Sequence, residues 1–159
     1  MTALDLVAKE VGVNERTLRR AVSEGTLRAN RPSPRKLVLP FSEDRYVRAH
    51  WPLIAKLREA LRTESNVRFA MLFGSMARGD DTERSDVDVI VVIRLEDAED
   101  DPTFLANALD VGRVLVDRRE VWPDLMARLP GLRHKGRRRD AKRKHDALAG
   151  IDRFVAARR

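Results

Sequence analysis

The chain has 159 residues, 43% of them hydrophobic and 36% charged, with a formal net charge of +7 and no cysteine. That length holds one ordinary domain or two small ones, and the lack of cysteine excludes a disulfide framework and a thiolate metal site. No N-terminal apolar run resembles a signal peptide and no stretch approaches the roughly 18 apolar residues of a membrane span, so a cytoplasmic protein without membrane association is expected.

The charge is segregated along the chain. Residues 1–62 carry 13 Lys and Arg against 7 Asp and Glu, residues 63–132 carry 8 against 15, and residues 133–159 carry 11 against 3. An acidic centre between two basic ends suits a metal-nucleotide site flanked by parts that bind polyanions.

Near the N-terminus, Leu4, Val7, Ala8 and Val11, then Leu18, Ala21 and Val22, form two apolar stripes of helical period. Gly12 is placed for a C-cap turn, Asn14 for the next N-cap, and Gly25 ends the second helix. Two short helices, the second rich in arginine, make a helix-turn-helix pattern. Arg16, Thr17, Arg19 and Arg20 are its candidate DNA contacts. In the following "LRANRPSPRKLVLP", alternating Leu37 and Leu39 beside a Pro-Ser-Pro tip predict a β-hairpin wing. Arg31, Arg35 and Lys36 of that wing can reach the DNA backbone or a minor groove. The stretch "VGVNERTLRRAVSEGTL" resembles the winged helix-turn-helix of MerR-like and excisionase-like proteins.

Residues 42–64 predict a connecting helix with Ser42 as N-cap and Tyr46, Leu53, Leu57, Ala60 and Leu61 on its apolar face. Pro52 is expected to bend it or to start a new helix. His50 and Trp51 read as core or interdomain residues.

The run Val67–Phe73 is apolar enough for a central strand and ends at Gly74-Ser75. Val87–Ile93 is almost wholly β-branched, which predicts a second strand buried on both faces. Asp86 and Asp88 are two residues apart, so they share a face with roughly 7 Å between their Cα atoms. Two carboxylates in that arrangement can share a pair of hard divalent cations about 4 Å apart, as used for in-line phosphoryl transfer. Gly74 lets a triphosphate approach the backbone, and Ser75 offers its hydroxyl to the phosphates. Arg78 either adds charge for those phosphates or pins the loop by bonding a carboxylate. Ser85 orders the approach to the Asp-x-Asp strand.

Taken together, "GSMARGDDTERSDVDVIV" resembles the signature of the minimal nucleotidyltransferases of the DNA polymerase β superfamily, Gly-Ser-x-Ala-Arg-Gly…Ser-Asp-x-Asp. The resemblance covers about 20 residues without a gap, and neighbouring strand patterns extend it to roughly residues 67–93. It implies an ATP- or other NTP-dependent transferase with Mg²⁺ held by Asp86 and Asp88, and with Gly74, Ser75, Arg78 and Ser85 at the nucleotide. The family pattern also includes a third carboxylate, on a strand that follows a helix after Asp-x-Asp, serving as base and metal ligand. Here "VVIRLEDAEDDP" runs straight into an acidic turn, as if one helix and one strand were removed between Val92 and Leu95. Asp117, closing the strand "RVLVD", is the candidate substitute, with Glu96 and Asp97 as weaker ones.

Pro123 is well placed for the first turn of a C-terminal helix. The segment from Arg133 has apolar positions at Ala141, Leu148, Ile151 and Val155 among many Lys and Arg. It is either a helix lying on the core with its basic face outward or a partly ordered arm that contacts nucleic acid. His134 and His145 lack partners at metal spacing and read as surface residues.

The expected architecture is therefore α/β (α+β): an N-terminal winged helix-turn-helix at 1–41, a connecting helix at 42–64, a small mixed-sheet polymerase-β-like core at 65–122, and a basic helical segment at 123–159. The expected function is Mg²⁺-dependent transfer of a nucleoside monophosphate from NTP to a hydroxyl of protein or RNA. The expected partners are DNA, NTP and a toxin or antitoxin protein or tRNA, with a homodimer among the expected assemblies. The alternative is a DNA-binding regulator whose inactive core serves as a nucleotide sensor or dimerisation surface.

Overall fold

The structure, a computed structural model, describes the backbone of residues 1–33, 36–92 and 101–156, and side chains as far as residue 147. The α/β class stands: six helices and two small sheets appear among the described residues.

The first helices are α1 (Leu4–Glu10) and α2 (Glu15–Ser23), buried through Leu4, Val7 and Ala8 and through Leu18 and Ala21. Asn14 caps α2, its side chain accepting from the Arg16 amide at 2.8 Å. Gly12 and Gly25 both take positive φ where the helices end. The short strand β1 (Thr2–Ala3) and the strands β2 (Asn30–Ser33) and β3 (Lys36–Leu39) form an antiparallel sheet in the order β1-β3-β2.

Helix α3 runs unbroken from Phe41 to Thr63. Pro52 neither ends nor restarts it: the ring is exposed, while Val47, Trp51 and Ile54 around it are buried. Packing of that face outweighs the loss of one helical hydrogen bond. The helix begins at Phe41 after Pro40 and has no side-chain cap, so Ser42 lies inside it.

The second sheet has β4 (Phe69–Phe73) at its centre, flanked by β5 (Asp88–Val92) and β6 (Arg113–Asp117). All three strands pair antiparallel, rather than as the mixed sheet expected from the sequence. Strand β5 is an edge among the described strands, and Val87 and Val91 are exposed on and beside it. The expectation of burial on both faces fails because β-branched residues suit an edge as readily as a centre. Helix α4 (Gly74–Arg78) follows β4 directly. Helix α5 (Pro102–Val111), capped by Asp101, packs with α6 (Val121–Ala156) over the far face of the sheet.

One apolar cluster runs from Leu4 through Tyr46, Trp51 and Ile54 to Leu72 and Val116, so the N-terminal helices and the β4 sheet share a core through α3. In α6 the burial of Val121, Leu125, Leu129 and Leu132 ends in the basic stretch. Residues 141–147, His145 and Ala141 included, are exposed, as is His134.

Candidate active site

The turn from β4 into α4 sets the geometry. Asp88 stands directly opposite Phe73 in the ladder, which brings its carboxylate against the next residue, Gly74. Gly74 has a φ of +74°, and a Cβ there would lie 2.5 Å from Asp88 Oδ2. Only glycine fits both the left-handed backbone and the carboxylate's position. Ser75, the second residue of α4, is half-buried, and its carbonyl accepts from the Gly79 amide at 2.9 Å, which closes the short helix.

Asp86 precedes β5 and Asp88 begins it; both are exposed. Neither makes a hydrogen bond or ion pair among the described residues. Asp88, packed against Gly74, and Asp86, two residues before it, are the carboxylates here that have no protein cation and could take a divalent one. Among the described residues no group of three or more His, Cys, Asp or Glu side chains is placed to hold a metal ion.

Arg78 bonds Asp80 within the loop that leads to Asp86, Nε to Oδ2 at 3.0 Å. Ser85 Oγ accepts from the Thr82 amide at 2.9 Å and so shapes the turn before Asp86. His50 bridges the same loop to α3: its Nε2 lies 2.8 Å from Asp81 Oδ1, and its ring stacks on Tyr46. A cavity of about 280 Å³ beside Arg78 and Gly79 is walled by Arg45, Tyr46 and His50.

Asp117 is not brought to this site. Phe69 of β4 pairs with Asp117 on one side, whereas Asp88 pairs with Phe73 at the other end of the same strand and on its other edge. Four residues of strand rise put them about 13 Å apart along the sheet alone. Asp117 instead accepts from the amides of Val121 (2.8 Å) and Trp122 (3.0 Å), satisfying the first turn of α6. Glu96, Asp97 and the Val92–Leu95 junction, apart from Val92 itself, lie outside the described residues, as does Arg35.

The predicted DNA contacts divide. Arg19 lies exposed with Glu15, 2.5 Å away, while Arg16, Thr17 and Arg20 line a cavity between α2 and α3. Arg31 and Lys36 are exposed at the ends of the hairpin strands.

The sequence reading overlooked Arg113. Its side chain is 2% exposed and donates to both Glu43 oxygens (2.5 and 2.9 Å), to the Ala77 carbonyl at the end of α4 (2.6 Å) and to the Thr26 carbonyl (3.3 Å). Its guanidinium also lies over the Tyr46 ring, 3.4 Å from the centroid. Burial pushes the Tyr46 hydroxyl up to about 12. Arg113 thus ties the N-terminal segment, α3 and α4 to the central sheet. The available signal was an arginine opening an otherwise apolar strand, which demands a buried partner.

Residues 55–121 match the family model described as "Polymerase beta, Nucleotidyltransferase". That segment is similar to a nucleotidyltransferase domain. The match takes in the second half of α3, all of the Gly74–Asp88 site and the β4 sheet, and it supports nucleotidyltransferase activity in general, with NTP and a divalent metal as that family's usual requirements. Comparison with curated proteins gives no match, and comparison with solved structures gives none either. No helix among the described residues is long and apolar enough to cross a membrane.

Proposed function

We propose that the protein is a Mg²⁺-dependent nucleotidyltransferase that moves a nucleoside monophosphate from ATP or another NTP to a hydroxyl of a protein or RNA. The observation that carries this reading is the Asp88 carboxylate, held against Gly74 with no protein cation, with Asp86, equally without one, two residues before it. Asp86 and Asp88 are the residues to hold the divalent cation, whose charge, when bound, neutralises phosphate oxygens of the substrate and of the leaving group. Gly74 admits the triphosphate close to the backbone, the Ser75 hydroxyl donates to it, and Arg78 and Ser85 hold the intervening loop in shape. In the transfer, the acceptor oxygen bonds to the α-phosphorus, the bond to the bridging oxygen breaks, and pyrophosphate leaves. The hydroxyl proton passes to solvent, since Asp117 caps α6 instead of facing the acceptor.

The N-terminal helices and hairpin are proposed to bind DNA through Arg19, Arg31, Arg35 and Lys36, with Arg16, Thr17 and Arg20 on the cavity side. That pairing suits an element of a toxin–antitoxin or self-regulating operon.

The fate of Asp117 favours a second reading, in which the core binds nucleotide without turning it over and the protein is a DNA-binding regulator. Incubation with labelled NTPs, Mg²⁺ and total cellular RNA or protein separates the two. Label transferred to a macromolecule and lost in Asp88→Ala supports the enzyme; metal-dependent binding without transfer supports the regulator.

A further inference from the structure

A second cavity has neither Asp86 nor Asp88 in its lining. It lies between α2 and α3, has a volume of about 610 Å³, and is within the range of small-molecule sites. Four arginines line it: Arg16 and Arg20 from α2, Arg58 and Arg62 from α3. Trp51 and Ala55 give it an apolar wall, and Asn14, Thr17 and Thr63 add polar groups.

The charge in this cavity is poorly balanced. Glu24 alone serves three of the guanidiniums, bonding Arg20 at 2.6 Å, Arg58 closely and Arg62 at 3.4 Å. Arg58 is buried and also donates to Thr26 Oγ1, so it is fixed in place. Arg16 makes no ion pair among the described residues, and Glu59 is the one carboxylate in the lining itself. Four guanidiniums against two carboxylates, Glu24 and Glu59, leave positive charge that an oxyanion bonding several of them at once would stabilise. Ala55, the exposed edge of the buried Trp51 and the alkyl arms of the arginines leave an apolar wall that suits a planar, weakly polar ring.

We infer that this cavity is a binding site for a mononucleotide, its phosphate held by Arg16, Arg20 and Arg62 and its base against Ala55 and the alkyl arms of the arginines. The site needs no metal, because its charge comes from arginine. It is separate from the nucleotide position proposed at Gly74 and stands or falls without it. Its occupant would draw on Arg16 and Arg20, the same cations that α2 offers to DNA, so nucleotide and DNA would compete.

The test is calorimetric titration of the full chain with AMP in EDTA, which removes any metal-dependent binding. The inference expects one saturable AMP site, weakened at least roughly tenfold by Arg16→Ala with Arg62→Ala, the loss of charge-assisted bonds, and unchanged by Asp86→Ala with Asp88→Ala. Adenosine and inorganic phosphate should each bind more weakly than AMP. Absence of saturable AMP binding overturns it, as does unchanged affinity in the double arginine variant with a native circular dichroism spectrum. If phosphate or adenosine alone binds as tightly as AMP, the mononucleotide assignment is wrong.

Discussion

Glu43, linked through Arg113 to the last turn of α4, and Asp88, set against its first residue, are treated in opposite ways. Glu43 is buried and receives two hydrogen bonds from Arg113, which also holds the last turn of α4 through the Ala77 carbonyl. Asp88 lies exposed against Gly74 at the first turn, with Asp86 exposed two residues before it, and neither has a protein cation among the described residues. A fold that matches its interior carboxylate so fully, and leaves a neighbouring pair unmatched, keeps the second charge available for something brought from outside.

The largest expected effect breaks the interior half. Arg113→Ala strands Glu43 in the core and should cost about 3–5 kcal/mol in urea unfolding, the usual penalty for removing one partner of a buried pair. Replacing both residues by apolar side chains of similar volume should recover most of that loss. A cost below about 1 kcal/mol for the single variant would mean that the pair does not fasten the N-terminal segment to the sheet.

Gly74→Ala acts on the exposed half. The left-handed backbone costs a non-glycine residue about 1–2 kcal/mol. The added Cβ also displaces the Asp88 carboxylate, so metal-dependent nucleotide binding should weaken roughly 10- to 100-fold, as when a metal ligand loses its orientation. A stable Gly74→Ala variant with parental affinity would show that Asp88 needs no such placement.

A smaller effect lies at Glu24, which joins α2 to α3. Burial raises its pKa, but the hydrogen bonds and charges of Arg20 and Arg58 outweigh this and hold the carboxyl below its ordinary value of 4.5. A depressed carboxylate stabilises the folded state above its unfolded pKa, and that contribution is lost as pH falls through the folded one. Stability should therefore decline more steeply below about pH 4.5 in the parent than in Glu24→Gln. Equal slopes in the two proteins would remove Glu24 from the account of acid stability.

Much of this was legible in the sequence because the signals were local. The stripes at Leu4–Val11 and Leu18–Val22 gave α1 and α2, Asn14 marked a cap, and the apolar run before Gly74-Ser75 gave the central strand. Asp86 and Asp88 stood out because carboxylates are rare beside a β-branched run. The failures have physical causes of a different range. Arg113 and Glu43 are 70 residues apart, and nothing in either neighbourhood names the other. Asp117 could be read as a ligand or as a cap, and its spacing to Val121 and Trp122 decided for the cap. Pro52 is a local signal that tertiary packing overrode.

Asp86 and Asp88 are the proposed metal ligands, whereas Asp117 caps a helix. Calorimetric titration of ATP with and without Mg²⁺ into the parent, Asp86→Ala with Asp88→Ala, and Asp117→Asn tests both halves together. The expected result is Mg²⁺-dependent binding that vanishes in the double variant, which stays folded, and persists in Asp117→Asn at parental affinity. Mg²⁺-dependent binding that survives loss of Asp86 and Asp88, or that disappears with Asp117→Asn while the fold is retained, would contradict it.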